Sequence, residues 1–428
     1  MKALIIGNGG REHALAWKIE QSPLVNKIYV APGNGGTALE KKIENVDINI
    51  NDHNQLVLFA KKEEVDLTII GPEVPLSKGI VDIFLKNKLK VFGPKMEAAQ
   101  LESSKDFAKS FMERHNIPTA KYKTFTNSKD AKAYIDKKGT PIVIKADGLA
   151  AGKGVVVAMS MKEALSSVDS MLEDNLFGDA GARVVIEEYL SGEEVSFIVI
   201  CDGNSILPLA SSQDHKRLLD SDLGPNTGGM GAYSPAPIIT PELHKRIMNE
   251  IIEPTINGMK KDGIEFTGFL YAGLMIDKDN NIKTLEFNCR MGDPETQPIL
   301  FRLKSDLFEI LLAATNKNIE NYNTKWDNDS AITVVCASEN YPNQPKINDE
   351  IFIPNHNNHS YIFHAGTTLK NNKIYTAGGR VLGVTSKGNS LKIAQERVYD
   401  LVNDIEFKGM QYRTDIGQKA TKSNCEES

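Results

Sequence analysis

Cysteine is scarce in this chain. The 428 residues include four cysteines, which are widely spaced and form no CxxC pair: Cys201, Cys289, Cys336 and Cys425. This spacing argues against a disulfide framework and against a zinc site, and it fits a reducing compartment. We therefore expect a cytoplasmic protein.

Long hydrophobic runs and a strong charge of one sign are also lacking. The apolar run from Leu4 to Ile6 is too short for the core of a signal peptide, and no run is long enough to span a bilayer. The formal net charge of -6 gives no general attraction to nucleic acid or acidic membranes. We expect small-molecule partners, with neither nucleic acid nor a membrane among them.

What is present at the start is an alternation of short apolar runs and helical patterns. The runs are Ala3–Ile6, Ile28–Val30, Leu67–Ile70 and Lys90–Phe92. This alternation predicts a parallel sheet with crossover helices. The turns GNGG, APGN, GPEVP and FGP follow these strands, and ligands of open α/β sheets bind at that edge. Glu73 of GPEVP is therefore a ligand candidate, with a plain acid at a helix N-terminus as the alternative.

The first of these turns, Gly7-Asn8-Gly9-Gly10, has two interpretations. Glycines before a helix N-terminus let backbone N–H groups approach an anion. A dinucleotide fingerprint would need Gly or Ala at its sixth position, which is Glu12 here, and an acid after the second strand, which is missing. We expect an anion site that involves Asn8, Gly9 and Gly10 and does not bind NAD. A bare structural turn is the alternative.

Further along, IVIKADGLAAGKGVVVA (Ile142 to Ala158) joins two predicted strands by a glycine-rich loop. Such a loop can fold over a triphosphate while lysines supply point charges. It is not a Walker A loop, because Gly154 stands where Ser or Thr is required. A hairpin with solvated lysines remains the alternative.

Two acidic segments follow. In VIEEYLSGEEVS, a strand ends at Glu187, and a carboxylate beyond it can accept both hydroxyls of a ribose. In TLEFNCRMGDPETQP, side-chain alternation places Glu286, Asn288 and Arg290 on one strand face. Carboxylate and amide oxygens suit Mg²⁺, and a guanidinium can hold a transferring phosphoryl group. An acidic surface turn and an exposed polar strand are the alternatives.

The rest of the chain is organised around these segments. A helical stretch is predicted from about Lys95 to His115, and a long helix near Pro241–Lys261 interrupts a region rich in strands. The polar stretch around Trp326 is typical of a linker. A last module from Ala331 to about Gly417 contains short strands and a helix at Ser390–Val402.

Taken together, the motifs resemble the ATP-grasp superfamily and, within it, the phosphoribosylamine–glycine ligase family, also called glycinamide ribonucleotide synthetases. The resemblance covers nearly the whole chain. The motifs are GNGGREHALAW, APGN, GPEVPL, FGP, IKADGLAAGKGV, SQDHKR, GPNTGGMGAYSPAP, GFLYAGLM, EFNCRMGDPETQP, FHAGT and GGRVLGV.

The resemblance implies a multidomain α/β and α+β fold. It would comprise an N-terminal open parallel-sheet domain, an ATP-grasp core with a small lid module, and a small, mainly-β C-terminal domain. We place these units at residues 1–104, 105–325 (lid module about 120–190) and 331–420. It further implies that the enzyme joins glycine to 5-phosphoribosylamine with ATP, in de novo purine synthesis, through glycyl phosphate. We expect a monomer.

The resemblance also implies roles for individual residues. Lys105 and Lys145 would contact ATP phosphates, and Arg290 would face the transferred phosphoryl group, so that Lys145 and Arg290 are the catalytic candidates. Glu286 and Asn288 would ligate Mg²⁺ or Mn²⁺. The remaining ATP contacts would be the lid-loop residues Gly148, Gly152, Lys153 and Gly154, and the adenosine-binding residues Glu187, Leu190 and Glu194.

The substrate sites are the least constrained. The GNGG turn and Glu73 are a plausible cradle for phosphoribosylamine, with Arg380 reaching the ribose phosphate or lying on the surface. Glycine would be held by Asp214 of SQDHKR and by the loop residues Asn226, Thr227, Gly228 and Gly229. His215 is a candidate base, although a structural histidine is the preferred interpretation.

One departure from the wider superfamily concerns the metal. Many ATP-grasp enzymes carry another metal-binding acid shortly before the EFN-type strand, but Tyr271 to Met275 contain none. We therefore do not expect a second protein carboxylate to bridge two metals. Asp277 is interpreted as the start of a turn.

Three other functions compete with this hypothesis. A different ATP-grasp ligase or carboxylase is disfavoured by GPNTGGMGAYSPAP and GNGGREH. A non-catalytic ATP-binding regulator would be favoured by loss of Glu286, Asn288 or Lys145, and all three are present. A dehydrogenase is disfavoured by Glu12.

Overall fold

The computed structural model describes residues 1–149, 154–173, 182–355 and 357–421. The N-terminal elements are β1 (Lys2–Gly7), α1 (Gly10–Glu20), β2 (Lys27–Pro32), β3 (Ile43–Asn45), α2 (His53–Lys62), β4 (Leu67–Ile70), α3 (Glu73–Ser77), α4 (Ile80–Lys86) and β5 (Val91–Phe92). The strands form one sheet in the order β3-β2-β1-β4-β5, and all neighbours are parallel. The predicted parallel sheet is confirmed.

Both faces of this sheet are covered, which explains why β1 is a continuous apolar run rather than an alternating one. Ala3 and Ile5 belong to one buried cluster, and Leu4 and Ile6 belong to another on the opposite face. The strand order reverses between β1 and β4. The turns after these two strands therefore meet at the crevice where open α/β sheets bind ligands.

The predicted helical stretch from Lys95 to His115 is in fact two helices, α5 (Gln100–Ser103) and α6 (Lys105–Arg114). The break is at Ser104, whose backbone is extended and whose hydroxyl accepts a hydrogen bond from Phe107 N at 3.1 Å. Serine favours such an N-cap because its side chain satisfies a free N–H of the first turn.

A small antiparallel module follows. Its elements are β6 (Tyr122–Phe125), α7 (Ser128–Lys138), β7 (Ile142–Ala146), β8 (Val155–Ala158), α8 (Met161–Leu172) and β9 (Val184–Glu188), and the sheet order is β6-β9-β7-β8. The predicted helix Met161–Leu172 is confirmed at both ends, and Ser160 caps it through Glu163 N.

The central region contains β10 (Glu193–Asp202), β11 (Ile206–Pro208), β12 (Gln213–Asp214), β13 (Arg217–Leu219), β14 (Leu223–Asn226), β15 (Gly231–Ser234), α9 (Pro241–Ile247), α10 (Glu253–Lys261), β16 (Thr267–Ile276), β17 (Ile282–Asn288), α11 (Thr296–Arg302) and α12 (Leu307–Thr315). Its main sheet has the order β11-β10-β16-β17. A π-helical stretch, Met248–Ile252, joins α9 to α10, so the predicted long helix is present.

A bulge in β17 decides which side chains face the site. Gly273 lies opposite Glu286, but Leu274 lies opposite Thr284, so Leu285 is an extra residue. Thr284 and Phe287 are buried, whereas Glu286 and Asn288 are half-buried. The bulge therefore corrects the simple alternation expected for Leu285 and leaves Glu286 and Asn288 on the open side.

The C-terminal elements are β18 (Ser330–Ala337), β19 (Ser360–His364), β20 (Thr367–Lys370), β21 (Lys373–Thr376), β22 (Arg380–Gly388) and α13 (Leu391–Asn403). The large sheet here has the order β12-β15-β18-β22-β19, so two of its five strands come from the central region. The polar stretch before it is not a free linker. Trp326 bridges to Leu303, and its ring lies 5.9 Å from the Arg302 guanidinium carbon.

The three cysteines in the described part of the chain, Cys201, Cys289 and Cys336, are buried and free, while Cys425 lies outside it. Across the same residues, no helix combines the length and apolarity needed to cross a membrane.

Candidate functional site

The GNGG turn holds a carboxylate of the chain itself. Glu12 Oε2 accepts a hydrogen bond from Gly9 N at 2.7 Å. Gly7 has a φ of 131°, and a Cβ there would lie 2.6 Å from Glu12 Cδ. A Cβ at Gly71 would overlap the same carboxylate. Glu12 thus fills the space that a dinucleotide fingerprint keeps open with a small residue, which explains why the fingerprint fails.

The other two predicted residues of this turn, Asn8 and Gly10, differ in their surroundings. Asn8 is exposed, and its carbonyl accepts a hydrogen bond from Asn34 Nδ2 at 3.0 Å. Gly10 is buried, and a Cβ there would lie 2.6 Å from Gln297 Nε2. Because Glu12 already occupies the Gly9 N–H, an external anion at this edge would contact the rim of the turn rather than its centre.

Glu73 and Arg290, which are far apart in sequence, meet across the crevice. Arg290 Nε lies 3.4 Å from Glu73 Oε2, and Arg290 Nη2 lies 2.9 Å from Glu102 Oε1. We call Glu73, Arg290 and Glu102 the arginine cluster. Burial alone would raise the pKa of Glu73, but Arg290 and Arg11 lower it. Burial raises the pKa of Glu102 even though Arg290 opposes the shift.

A second cluster lies on the small antiparallel module. Lys145 Nζ is 2.9 Å from Glu187 Oε1, and Lys109 Nζ is 3.0 Å from Glu187 Oε2. We call these three residues the lysine cluster, and all are buried. Lys145 also donates to Leu285 O at 3.2 Å, which ties the cluster to the bulge in β17. Burial lowers the pKa of Lys109 to about 8, against the opposite effect of Glu187.

Of the predicted lid-loop residues, the structure describes only Gly148 and Gly154, at the two ends of the loop. Lys105 Nζ donates to Gly148 O at 2.9 Å, and Ala146 N donates to Gly154 O at 2.8 Å. Gly152 and Lys153 lie outside the described residues. Burial lowers the pKa of Lys105, although Glu286 opposes this.

Lys216 connects the two predicted acidic segments. Its Nζ forms a short ion pair with Glu194 and lies 3.7 Å from Glu286 Oε1. Burial alone would raise the pKa of Glu286, but Lys216, Lys145 and Lys105 lower it to about 2. Glu286 is therefore a firmly ionised carboxylate surrounded by ammonium groups. Leu190, between β9 and β10, is half-buried.

The predicted metal ligands lie side by side. Glu286 and Asn288 are half-buried on the open side of β17, and Arg290 Nη2 is 3.5 Å from Asn288 Oδ1. Within the described ranges, no group of three or more His, Cys, Asp or Glu side chains is arranged to hold a metal ion. Asp277 starts a turn, as predicted, because its Oδ1 accepts hydrogen bonds from Asp279 N and Asn281 N.

The loop predicted to hold glycine is fixed by Arg380. The Arg380 guanidinium donates to Gly228 O at 2.5 Å and to Asp293 O at 2.6 Å, and it pairs with Asp293 Oδ2 at 3.2 Å. Arg380 is thus neither a plain surface residue nor an uncommitted phosphate ligand. Thr227 Oγ1 accepts from Gly229 N at 3.0 Å, and Asn226 lies at the end of β14.

Burial shifts the pKa values of Asp214 and His215 in opposite directions. Burial and the nearby charge of Glu295 raise the pKa of Asp214 well above its ordinary value. Gly229 packs against it, since a Cβ there would lie 2.7 Å from Asp214 Oδ1. Burial lowers the pKa of His215 to about 4, and its Nδ1 lies 3.2 Å from Gly231 O, which supports the structural interpretation of this histidine.

Sequence reasoning missed three charged residues of the site: Glu102, Lys109 and Lys216. Lys109 had a detectable signal, because it lies four residues after Lys105 on α6 and therefore on the same helix face. Lys216 lies inside the SQDHKR motif beside Asp214. Glu102 had no sequence signal, since its partner is far away in the chain.

Comparisons with known proteins agree across the whole chain. Three family models match: Phosphoribosylglycinamide synthetase N domain at residues 1–102, its ATP-grasp (A) domain at 103–296, and its C domain at 331–419. The chain is 60% identical over 423 residues to a phosphoribosylamine–glycine ligase of Ralstonia nicotianae, covering 99% of this chain and 100% of that protein. A Neisseria meningitidis protein of the same name is 56% identical, covering 98% and 99%.

Solved structures give the same result. A crystal structure of phosphoribosylamine–glycine ligase from Thermotoga maritima matches with a TM-score of 0.85 and 33% identity, over 97% of this chain and 100% of that one. A biotin carboxylase from Campylobacter jejuni matches with a TM-score of 0.73 at 16% identity, over 96% and 92%, which is a likeness of fold alone. The chain belongs to the phosphoribosylglycinamide synthetase family, the phosphoribosylamine–glycine ligases.

Proposed function

We infer that the chain is an ATP-dependent ligase that joins glycine to 5-phosphoribosylamine and yields glycinamide ribonucleotide, ADP and phosphate in de novo purine synthesis. One observation carries the chemistry: Lys105, Lys145, Lys216 and Arg290 surround the ionised Glu286. Four cationic groups gathered at this point are suited to a triphosphate and to the charge of a transferring phosphoryl group.

ATP would bind between the small antiparallel module and the central sheet. Lys105 and Lys145 would contact its phosphates, together with Gly148, Gly152, Lys153 and Gly154 of the loop. Glu187, Leu190 and Glu194 would line the adenosine side. Because both Glu187 oxygens already face lysines, we propose that Glu187 orients Lys145 in addition to any contact with the base.

Mg²⁺ or Mn²⁺ would be held by Glu286 and Asn288. These residues fit a hard cation, because they present an ionised carboxylate and an amide oxygen on one side of β17. Mg²⁺ is commonly bound by one or two protein oxygens together with nucleotide phosphates. When bound, the ion would neutralise charge on those phosphates.

Phosphoribosylamine would lie at the crevice between the turns after β1 and β4, near Asn8, Gly9, Gly10 and Glu73. Glycine would lie nearer the loop Asn226–Gly229, with Asp214 facing its ammonium group. Arg380 would act by holding this loop, because its guanidinium is already engaged by the carbonyls of Gly228 and Asp293.

The chemistry proceeds in two steps. A glycine carboxylate oxygen attacks the γ-phosphorus of ATP, ADP leaves, and glycyl phosphate forms while Lys145 and Arg290 offset the charge on the transferred group. The amine of phosphoribosylamine then attacks the acyl carbon, the C–O bond to phosphate breaks, and the amine loses a proton. Water must be excluded from the acyl phosphate, which it would hydrolyse.

The organisation of the chain follows from this proposal. We propose units at residues 1–104, 105–325 and 331–420, with a lid module at about 120–190, working as a cytoplasmic monomer. The free thiols of Cys201, Cys289 and Cys336 support a reducing compartment.

Incubation with ATP, glycine and freshly made phosphoribosylamine tests the proposal. We expect glycinamide ribonucleotide and ADP in equal amounts, and no ribonucleotide when any one substrate is omitted. The Glu286→Gln variant should remain folded and lose turnover by about two orders of magnitude or more. ADP release that does not depend on phosphoribosylamine and gives no ribonucleotide would contradict the assignment.

A further inference from the structure

We propose that Glu102 is a positioning residue for the phosphoryl-transfer step, acting by holding the Arg290 guanidinium in place. This proposal rests on the role given above to Arg290. Glu102 is the last residue matched by the N-domain model, whereas Arg290 lies near the end of the ATP-grasp match. The contact therefore crosses from one part of the molecule to another.

The Glu102 carboxylate contacts two consecutive residues, one with each oxygen. Oε1 lies 2.9 Å from Arg290 Nη2, and Oε2 accepts a hydrogen bond from Cys289 N at 2.7 Å. One carboxylate thus fixes the backbone just after β17 and the side chain that follows it. These two contacts fix the direction in which the Arg290 side chain extends from the backbone beside Asn288.

Glu102 differs from Glu73, the other acid that contacts Arg290, in how far it is buried. The Glu102 side chain is 6% exposed, whereas that of Glu73 is 27% exposed. Glu73 Oε2 lies 3.4 Å from Arg290 Nε, which is buried and has no hydrogen-bond partner among the residues that the structure describes. Glu73 is therefore the more exposed and more distant partner of Arg290, and Glu102 is the buried and closer one.

The surroundings of Glu102 are tightly packed. The Cys289 thiol lies 3.6 Å from Ala98 O, just before α5, and Cys289 N donates to Glu102 within α5, so Cys289, directly after β17, is joined to this region at two points. This packing keeps the Glu102 side chain in place, whereas a solvated side chain would be free to move. A residue placed in this way can set the position of Arg290 before substrates arrive.

Glu102→Gln separates this role from a purely structural one. The glutamine oxygen can still accept from Cys289 N, but the charge that orients Arg290 is lost. We expect kcat to fall by about 10- to 100-fold. The KM values for ATP and glycine should stay near those of the wild type. Glu97→Gln, an exposed acid on the same segment, is the matched control and should have no effect.

Glu102→Asp gives a second discriminating measurement. Aspartate keeps the charge and loses length, so the kcat of the aspartate variant should lie closer to the wild-type value than the kcat of the glutamine variant does. A purely structural role would give the isosteric glutamine variant the higher kcat. If the glutamine variant fails to fold, the aspartate variant carries the test, with a reduced kcat at unchanged KM. A higher kcat for the glutamine variant than for the aspartate variant would overturn the proposal.

A double-mutant cycle with Arg290→Lys completes the test. If Glu102 acts through Arg290, Glu102→Gln should have little further effect on kcat in the Arg290→Lys background. Effects that simply multiply would overturn the proposal. A normal kcat for Arg290→Lys alone would instead refute the role of Arg290 in the proposed function, and Glu102 would lose its role with it. A damaged Arg290→Lys beside a normal Glu102→Gln would refute only the inference about Glu102.

Discussion

The lysine cluster places two ammonium groups around one carboxylate, whereas the arginine cluster places two carboxylates around one guanidinium. With all groups ionised, the lysine cluster has a formal charge of about +1 and the arginine cluster has a formal charge of about -1. The lysine cluster contacts β17 at Leu285 O, and the arginine cluster contacts the backbone N–H of Cys289, directly after β17. The excess cation lies where the triphosphate is proposed to bind.

The difference separates a positive charge that is only partly compensated from one that is fully compensated. The spare positive charge of the lysine cluster is available to a bound anion. Arg290, by contrast, is neutralised by two acids, of which only Glu73 is within reach of solvent. A ligand that engages Glu73 would therefore release part of Arg290, which links the substrate crevice to the phosphoryl site.

The largest expected effect comes from changing the arginine cluster at its centre. Arg290→Lys keeps a positive charge but loses the planar fork that contacts Glu73 and Glu102 together. We expect kcat to fall by about 100- to 1,000-fold, with ATP binding largely retained. Arg114→Lys, at a half-exposed arginine, is the control. A kcat within twofold of the wild type, at roughly equal stability, would show that a simple charge suffices.

Changing the lysine cluster should weaken ATP binding, in addition to any loss of turnover. Lys145→Met removes the ammonium that faces Glu187 and Leu285 O. We expect the dissociation constant for ATP to rise by about 10- to 100-fold, the usual worth of a charged hydrogen bond. Calorimetry with ATP measures this, and Lys137→Met, on the exposed side of α7, is the control. Unchanged ATP affinity would remove the lysine cluster from the nucleotide site.

A smaller effect is expected at the solvent side of the arginine cluster. Glu73→Gln keeps the shape of the side chain and removes its charge, so the KM for phosphoribosylamine should rise about 10-fold, consistent with the loss of one charged contact. The ATP dissociation constant should not change. Steady-state kinetics with varied phosphoribosylamine tests this, and a raised KM for ATP alone would place Glu73 in a different site.

The smallest effect concerns stability and pH. The pKa of Lys109 is about 8 in the folded chain, against an ordinary value of 10.5. Between these pH values the unfolded chain binds more protons, so the free energy of unfolding should rise with pH. Lys109→Met should remove a rise on the order of 1 kcal/mol, measured by urea unfolding at pH 8 and pH 10.5. An identical rise in the variant would show that Lys109 is not desolvated.

Much of this architecture is encoded locally and could be predicted. The runs before GNGG and GPEVP have the length and apolarity of buried parallel strands, and their turns mark the ligand edge. Ser160 and the apolar spacing after it predict both ends of α8, Met161 and Leu172. The motif residues Glu286 and Asn288 reach the site because β17 alone determines where they point, once its bulge is included.

The remainder depends on contacts between distant segments. Strands β12 and β15 are too short to show a periodic pattern, so their place beside β18 could not be predicted. Glu102 and Arg290 are brought together by packing across the molecule, and no local signal records this pairing. The actual contacts of Arg380 were missed for the same reason.

The shared five-stranded sheet also sets an order of assembly. During translation β15 leaves the ribosome before β18, so the edge that will pair Gly231–Ser234 with Ala331–Val334 has no partner until the last module emerges. Arg380, which fastens the loop at Gly228, is made later still. Nascent chains therefore expose an unpaired strand edge, and the loop Asn226–Gly229 is fastened only after Arg380 has been made.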